Sequence, residues 1–486
     1  MLLIGAVAAL TAIRLTGLQV SVTELHADEA QYWAWAQNPA WGYYSKPPMV
    51  AWLIGLAQAV CGTGAACVRA PSVLIWAAIP LLVFGIGATL AGPRVGLWAG
   101  ILALLAPGAA FSARVMSTDP PLLMFWALAL LALVRLRAGG GAAWAAALAV
   151  GLGFGLLSKY AMVYWIGGLV LAAVVDPATR RVLRRPALWV GLSGGLALFA
   201  PNLIWNLDNA LTTVRHTGVN MAGEKGARSL VEVISEGLEF ISAQFGLAGP
   251  VVFAAVILAA AGWRKLTAEQ RLLLAFSMPV FTVVTVAAFA QGANANWAAS
   301  GLVAAFVLAP TVLAGRVGRA WLGAGLAFCG AVQALLLFGD ARADRWVLPG
   351  DPYEPVMGWT AVAEAVASRA RTEGATVIVA ERRGEVANLA HALRETGLAV
   401  VAWPPEVEGQ PQDHFQMTQP LTVAQAETVL AVATCEDAGR FAGWAEARRM
   451  QTVTLPAGAG AVRTLHLFRL SRPTGPVKRP VPCPDA

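Results

Sequence analysis

Long apolar runs separated by short polar connections fill the first two thirds of this chain, and the pattern changes near Asp340. A helix of about 20 apolar residues is long enough to cross a bilayer. On that measure the runs predict spans near residues 2–20, 68–91, 95–115, 120–137, 142–158, 160–175, 187–205, 246–263, 271–290, 297–315 and 320–338, about eleven in all. Pro48–Val60 is apolar but short, and reads as a re-entrant or interfacial helix. Beyond Asp340 the periodicity is that of a soluble α/β domain. Thr376–Ala380 and Leu398–Ala402 read as strands around a helix at Gly384–Glu395, with further strands at Thr428–Ala433 and Arg463–Leu470. The expected fold class is a polytopic α-helical membrane protein with a small C-terminal α/β domain. The expected domains are a membrane domain, 1–338, that includes a first outer loop at 21–67, then the α/β domain, 339–470, and a proline-rich disordered tail, 471–486.

Composition agrees. Charged residues make up 13% of the 486 positions and hydrophobic ones 57%, with a mean hydropathy of +0.62. Soluble domains carry roughly 25% charged residues. The net charge of +7 does not indicate a nucleic-acid partner, because the basic residues sit in short clusters between apolar runs. One set of loops holds Arg94, Arg135, Arg137, Arg180, Arg181, Arg184, Arg185, Arg264, Lys265, Arg316 and Arg319. The opposite set holds Glu24, Asp28, Glu29, Asp119, Asp208, Glu224, Glu232, Glu236 and Glu239. The arginine-rich side is expected to be cytoplasmic, which puts the N-terminus inside and the acidic motifs and C-terminal domain outside. Met1–Leu10 lacks a basic n-region and reads as part of a retained span. The five cysteines show no metal spacing, and Cys435 and Cys483 are able to pair in an oxidising compartment. No internal repeat is apparent, which counts against transporters built from duplicated halves.

Candidate chemistry concentrates after the first span, in Asp28-Glu29-Ala-Gln-Tyr-Trp and Gly42-Tyr-Tyr44-Ser-Lys46-Pro-Pro. Neighbouring side chains on a helix point about 100° apart, so Asp28 and Glu29 are not a paired dyad. One is able to face a cavity while the other caps or anchors, and both are equally able to be solvated acids favoured by a helix dipole. Lys46 precedes two prolines that stiffen the backbone and aim it, as a phosphate clamp would need; a snorkelling interfacial lysine is the plainer reading. Asp119, in Ser117-Thr-Asp-Pro-Pro121, suits a helix cap as well as catalysis. Lys159 sits between two apolar runs with almost no connecting loop, where an uncompensated charge is costly, and Arg14 invites the same argument. Arg215 and His216 occupy an outward loop, and Asn294-Ala-Asn296-Trp297 another. Carboxylates and cations gathered on one side suit a reaction in which an acceptor hydroxyl loses its proton to a base and a departing phosphate is stabilised by cations.

The ordered set of motifs resembles the GT-C class of polytopic glycosyltransferases, and within it the bacterial relatives of the dolichyl-phosphate-mannose-protein mannosyltransferases, including the lipid A aminoarabinose transferase family. Besides the two motifs of the first loop, the resemblance rests on Arg69-Ala-Pro-Ser72, Ser117-Thr-Asp119-Pro-Pro, Leu156-Leu-Ser-Lys159-Tyr160 and Asn294-x-Asn296-Trp297, in order over roughly residues 1–310. It implies an inner-membrane enzyme that takes a polyprenyl-monophosphate-linked sugar and works on the outer face, usually with inversion. The acceptor would be a hydroxyl of lipopolysaccharide or lipid A, another envelope glycan, or a protein. By motif, Asp28 would be the catalytic carboxylate with Glu29 beside it, and Asp119 would complete the acidic side. Lys46 and Lys159 would meet the donor phosphate, with Arg215 and His216 near it, and Tyr44, Arg69, Tyr160 and Asn296 would line the cavity. No cofactor is obligatory in this reading, although a divalent cation stays open. A phosphoethanolamine-type transferase would need metal-ligand spacing that the outer motifs lack. A flippase for lipid-linked sugars would place charges through the midplane of the spans, where Arg14 is the exception here.

Overall fold

A computed structural model describes residues 1–222, 228–313, 319–347, 351–481 and 483, with Glu224 and Arg316 outside the described residues. The chain divides into two compact units. The first comprises Met1–Gln19, Lys46–Leu53 and Arg69–Leu337; the second comprises Val20–Ser45, Ile54–Val68 and Phe338–Ala486. The first loop, assigned whole to the membrane domain from sequence, is therefore divided, and most of it folds with the C-terminal residues.

The first unit is helical. Among the described residues six helices are long and apolar enough to cross a membrane: Leu2–Val20, Ala65–Ala91, Asp119–Arg137, Pro186–Asp208, Ala268–Gln291 and Ala320–Asp340. Leu230–Ala248 and Pro250–Ala261 make a seventh candidate, bent by 119° between them. The expected count of about eleven is therefore not established by length. The remaining apolar helices, such as Pro93–Leu105, Ala142–Ser158, Tyr160–Val175 and Ser300–Leu313, are short. Breaks that hydropathy does not register account for part of the difference. Gly249 takes φ 81° ahead of Pro250, and Pro107, which has no amide hydrogen to donate, starts a new short helix after Ala106.

Asp119–Arg137 is the central helix of this unit, buried along most of its length. Ala142–Ser158 approaches it closely because Gly151 has no side chain: a Cβ there would stand 2.7 Å from the Ala129 amide nitrogen. Arg14 is buried within this unit, its Nη2 donating to the Leu104 carbonyl at 3.2 Å and the Gln333 side chain at 3.1 Å.

The second unit is built on a five-stranded sheet, order β2-β1-β3-β5-β4. β1 (Val377–Ala380), β2 (Ala399–Ala402) and β3 (Thr428–Ala433) run parallel, while β5 (Val462–Pro473) is antiparallel to both β3 and β4 (Trp444–Pro456). β4 escapes sequence reading because its polar pattern leaves mostly exposed or half-buried positions. The helix Arg383–Ala392 lies between β1 and β2 in sequence and packs against Ala27–Ala36, where Trp33 meets the His391 ring at 4.9 Å. Cys61 and Cys67 form one disulfide and Cys435 and Cys483 another. The tail expected to be disordered carries instead the end of β5, a hydrogen bond from the Thr474 amide to the Gly443 carbonyl and the second disulfide.

Candidate active site

In the first unit the site is built where three elements end. Asp119 opens its helix, and the prolines after it cost no hydrogen bonds because first-turn amides have no helical acceptor. Lys159 follows Ser158, where the backbone leaves the helix for an extended conformation (φ −161°, ψ 135°) before the short turn Tyr160–Met162. Asn296 stands in the turn Ala295–Ala298. The Lys159 ammonium lies 2.7 Å from Asp119 Oδ1, and the Asn296 amide donates to Asp119 Oδ2 at 2.6 Å. Asp119, 8% exposed, thus has both oxygens engaged. An ammonium has three donors, and among the described residues Lys159 spends one of them, on Asp119.

Beside this pair, the Tyr160 hydroxyl donates to Asn202 Oδ1 at 2.9 Å and accepts from Asn206 Nδ2 at 3.0 Å. Both asparagines are buried on Pro186–Asp208. Sequence reading assigns neither of them a role. Two amides four residues apart in an apolar helix were the available signal. On the other side, Asn294 and Trp297 join Glu236, Glu239, Phe240 and Gln291 around a cleft of about 540 Å³.

The other candidates of this unit stand on other elements. Lys46 is half-buried before the prolines that lead into Met49–Cys61, and Arg69 is buried on Ala65–Ala91. Arg215 and His216, expected in a loop, sit on the helix Thr212–Ala222; Arg215 is exposed, and His216 Nε2 lies 3.0 Å from the Asn220 amide one turn later.

In the second unit, Asp28 and Glu29 share the first turn of Ala27–Ala36 and have different surroundings. Glu29 is 1% exposed and accepts from the His26 amide at 3.0 Å, while the His26 ring accepts from the Asp28 amide, which closes a capping box. Asp28 projects outward, its side chain 47% exposed, and its Oδ1 accepts from Arg383 Nη1 at 2.8 Å. Its Oδ2 finds no partner among the described residues. Arg383 Nη1 also donates to Gln31 Oε1 at 2.9 Å. Tyr44 is half-buried, and burial followed by the negative charge of Asp413 pushes its phenol up. Close by, Trp35 and Tyr43 stack at 4.6 Å, with His414 edge-on to both. Burial lowers His414 to about 4, so the ring is neutral at physiological pH.

Among the described residues no three His, Cys, Asp or Glu side chains converge in a group that could hold a metal ion.

Residues 45–205 match the dolichyl-phosphate-mannose-protein mannosyltransferase family, a segment that contains Lys46, Arg69, Asp119, Lys159 and Tyr160. The chain is 33% identical over 409 residues to the lipid A galacturonosyltransferase RgtD of Rhizobium johnstonii, an alignment spanning 83% of this chain and 84% of that one. It belongs to the GT-C membrane glycosyltransferases. The fold is shared with ArnT from Cupriavidus metallidurans. The apo structure superposes with a TM-score of 0.58 at 15% identity over 97% of this chain and 98% of that one. The form bound to undecaprenyl phosphate does so at 0.61 and 15% over 96% and 98%. The chain is thus a multi-span membrane glycosyltransferase, and family membership decides for an enzyme over a flippase.

Proposed function

We propose that this enzyme transfers a sugar from a polyprenyl monophosphate to a hydroxyl of lipid A, on the outer face of the inner membrane, with inversion at the anomeric carbon. The observation that carries the reading is Lys159: an ammonium fixed at one corner by a buried carboxylate, with two donors to spare among the described residues. That is the arrangement a departing phosphate monoester needs, because cation and direction are set before charge develops. Lys46, Arg69 and Arg215 add positive charge to the same unit, and His216 a further donor. Asp119 then orients Lys159 and takes no proton itself.

Asp28 is assigned as the base. Its free Oδ2 accepts the proton of the acceptor hydroxyl as that oxygen bonds to the anomeric carbon. The bond from that carbon to the phosphate oxygen breaks on the opposite face, and its electron pair leaves with the phosphate. Displacement from the opposite face inverts the centre. Glu29, committed to its capping box, holds the helix that carries Asp28. Tyr44, Tyr160 and Asn296 are assigned to the walls that receive the sugars.

Lipid A is the acceptor in the name of the relative from Rhizobium johnstonii, and undecaprenyl phosphate is bound in one ArnT structure. The orientation is supported by the arginine-rich loops and by two disulfides in the second unit, since such bonds persist in oxidising compartments. The N-terminus is therefore assigned to the cytoplasm and the C-terminal domain to the periplasm. Mass spectrometry of envelope lipids and glycans from cells with and without the protein tests the reading. A lipid A species heavier by one glycosyl residue only when the protein is present is expected; a change confined to phosphoethanolamine content, or none, would overturn it.

A further inference from the structure

Among the described residues Arg383 is the one charged side chain from the C-terminal part that hydrogen-bonds Asp28, and its placement is built. Gly384 follows it, and a Cβ there would stand 3.2 Å from the Ala27 Cβ, so a glycine lets the helix Arg383–Ala392 come close to the start of Ala27–Ala36. Arg383 Nη1 is shared between Asp28 Oδ1 and the side chain of Gln31, a residue 2% exposed and one turn further along the same helix. The guanidinium therefore has a buried anchor and a half-exposed charge partner. Only one oxygen of Asp28 is taken.

We infer that Arg383 is a positioning residue for transfer: it pins Oδ1 of Asp28, fixes the carboxylate plane and leaves Oδ2 presented to the acceptor hydroxyl. The inference rests on Asp28 being the base. It also gives the C-terminal α/β domain a part in the reaction, since that domain supplies the arginine. A carboxylate held at one oxygen keeps its orientation through the proton transfer, whereas a free one samples rotamers in which neither oxygen meets the hydroxyl. Other charged or titratable groups stand near this contact: His26 and Glu29 on the Asp28 side, and Arg382, Glu385 and His391 on the facing segment. Glu29 and Glu385 are each bound to the backbone amide three residues before them, so neither substitutes for Arg383.

The test uses the full chain in detergent, with the polyprenyl-phosphate sugar whose glycosyl residue the envelope mass spectrometry identifies as donor and lipid A as acceptor. For Arg383→Gln the expected result is kcat down by roughly tenfold with donor KM within about twofold, the signature of an interaction expressed in the transition state. Arg383→Lys, which keeps a cationic donor, should recover most of that loss. Thermal unfolding of each variant is recorded alongside. Wild-type kcat in Arg383→Gln, or equal losses in both variants that follow a drop in melting temperature, would overturn the positioning role. Asp28→Asn, measured in parallel, separates the two readings. If it is inactive while Arg383→Gln is unimpaired, the base stands and the inference falls; if it turns over normally, the base assignment itself fails.

Discussion

Asp119 and Asp28 each stand in the first turn of a helix, where the dipole favours a carboxylate, yet their surroundings suit them to opposite tasks. Asp119 is buried, and both its oxygens are taken, by a lysine and an amide. Asp28 is half-exposed and, among the described residues, has one oxygen bound to an arginine and one unengaged. A saturated, buried carboxylate is a fixture that sets the direction of its cation. A base must accept a proton from outside and needs an open oxygen. Residue type and helix position do not separate the two tasks; hydrogen-bond saturation does.

The largest effect should come from removing the open oxygen as a base. Asp28→Asn keeps the shape and should lower kcat by roughly 10³-fold or more, within the range that general-base groups supply, while donor binding is retained. Turnover within tenfold of wild type would collapse the distinction between the two aspartates. Second in size is Lys159→Ala. Losing a charge-assisted contact of about 1.5–3 kcal/mol should weaken binding of undecaprenyl phosphate by roughly 10- to 100-fold, measured by direct titration. The variant also strands Asp119 in a buried position without its cation, so a lower melting temperature should accompany it. Unchanged affinity would remove Lys159 from the phosphate.

Third is Asp119→Asn, which sharpens the comparison. If Asp119 only orients Lys159, the donor KM should rise by roughly three- to tenfold, a loss of about one hydrogen bond's net worth, while kcat falls far less than in Asp28→Asn. A kcat as low as that of Asp28→Asn would make Asp119 a reagent after all.

Much of the fold could be read from the chain. Apolar runs locate most of the helical segments, because burial in lipid or protein demands apolar side chains whichever surrounds them. That same fact hides the number of crossings: Gly249-Pro250 and Ala106-Pro107 break runs whose hydropathy is continuous. Lys159 was legible as a charge where charge is costly and Asp119 as a cap or a catalytic acid, but their pairing was not, since 40 residues separate them and sequence carries no distance. Glu29 and Asp28 looked equivalent, and only the capping box on His26 separates them. Arg383 gave no signal, being one of many arginines in the C-terminal part and 355 positions from its partner. The second unit's share of the first loop was hidden for the same reason, because polar loop composition does not say which body a loop folds with.

The smallest effect concerns a third carboxylate, and it extends the contrast between held and open acids to stability. Glu385 is buried, and burial raises it to about 7 from an ordinary value of 4.5. A carboxyl raised on folding binds its proton more tightly in the native state, so its stabilisation is complete below pH 4.5 and is lost as pH climbs through about 7. His414, lowered to about 4 by burial, acts in the opposite sense and is lost as pH falls below 6.5. Glu385→Gln keeps an acceptor for the Arg382 amide, which now donates to Glu385 Oε2 at 3.1 Å, and cannot ionise. Thermal unfolding of the full chain in detergent should then show the variant gaining a few degrees over wild type at pH 8, on the scale of about 1 kcal/mol per few degrees, with little difference at pH 5. An equal shift at both pH values would mean that Glu385 is ionised in the folded protein and that burial there is offset by a charge contact the capping geometry does not reveal.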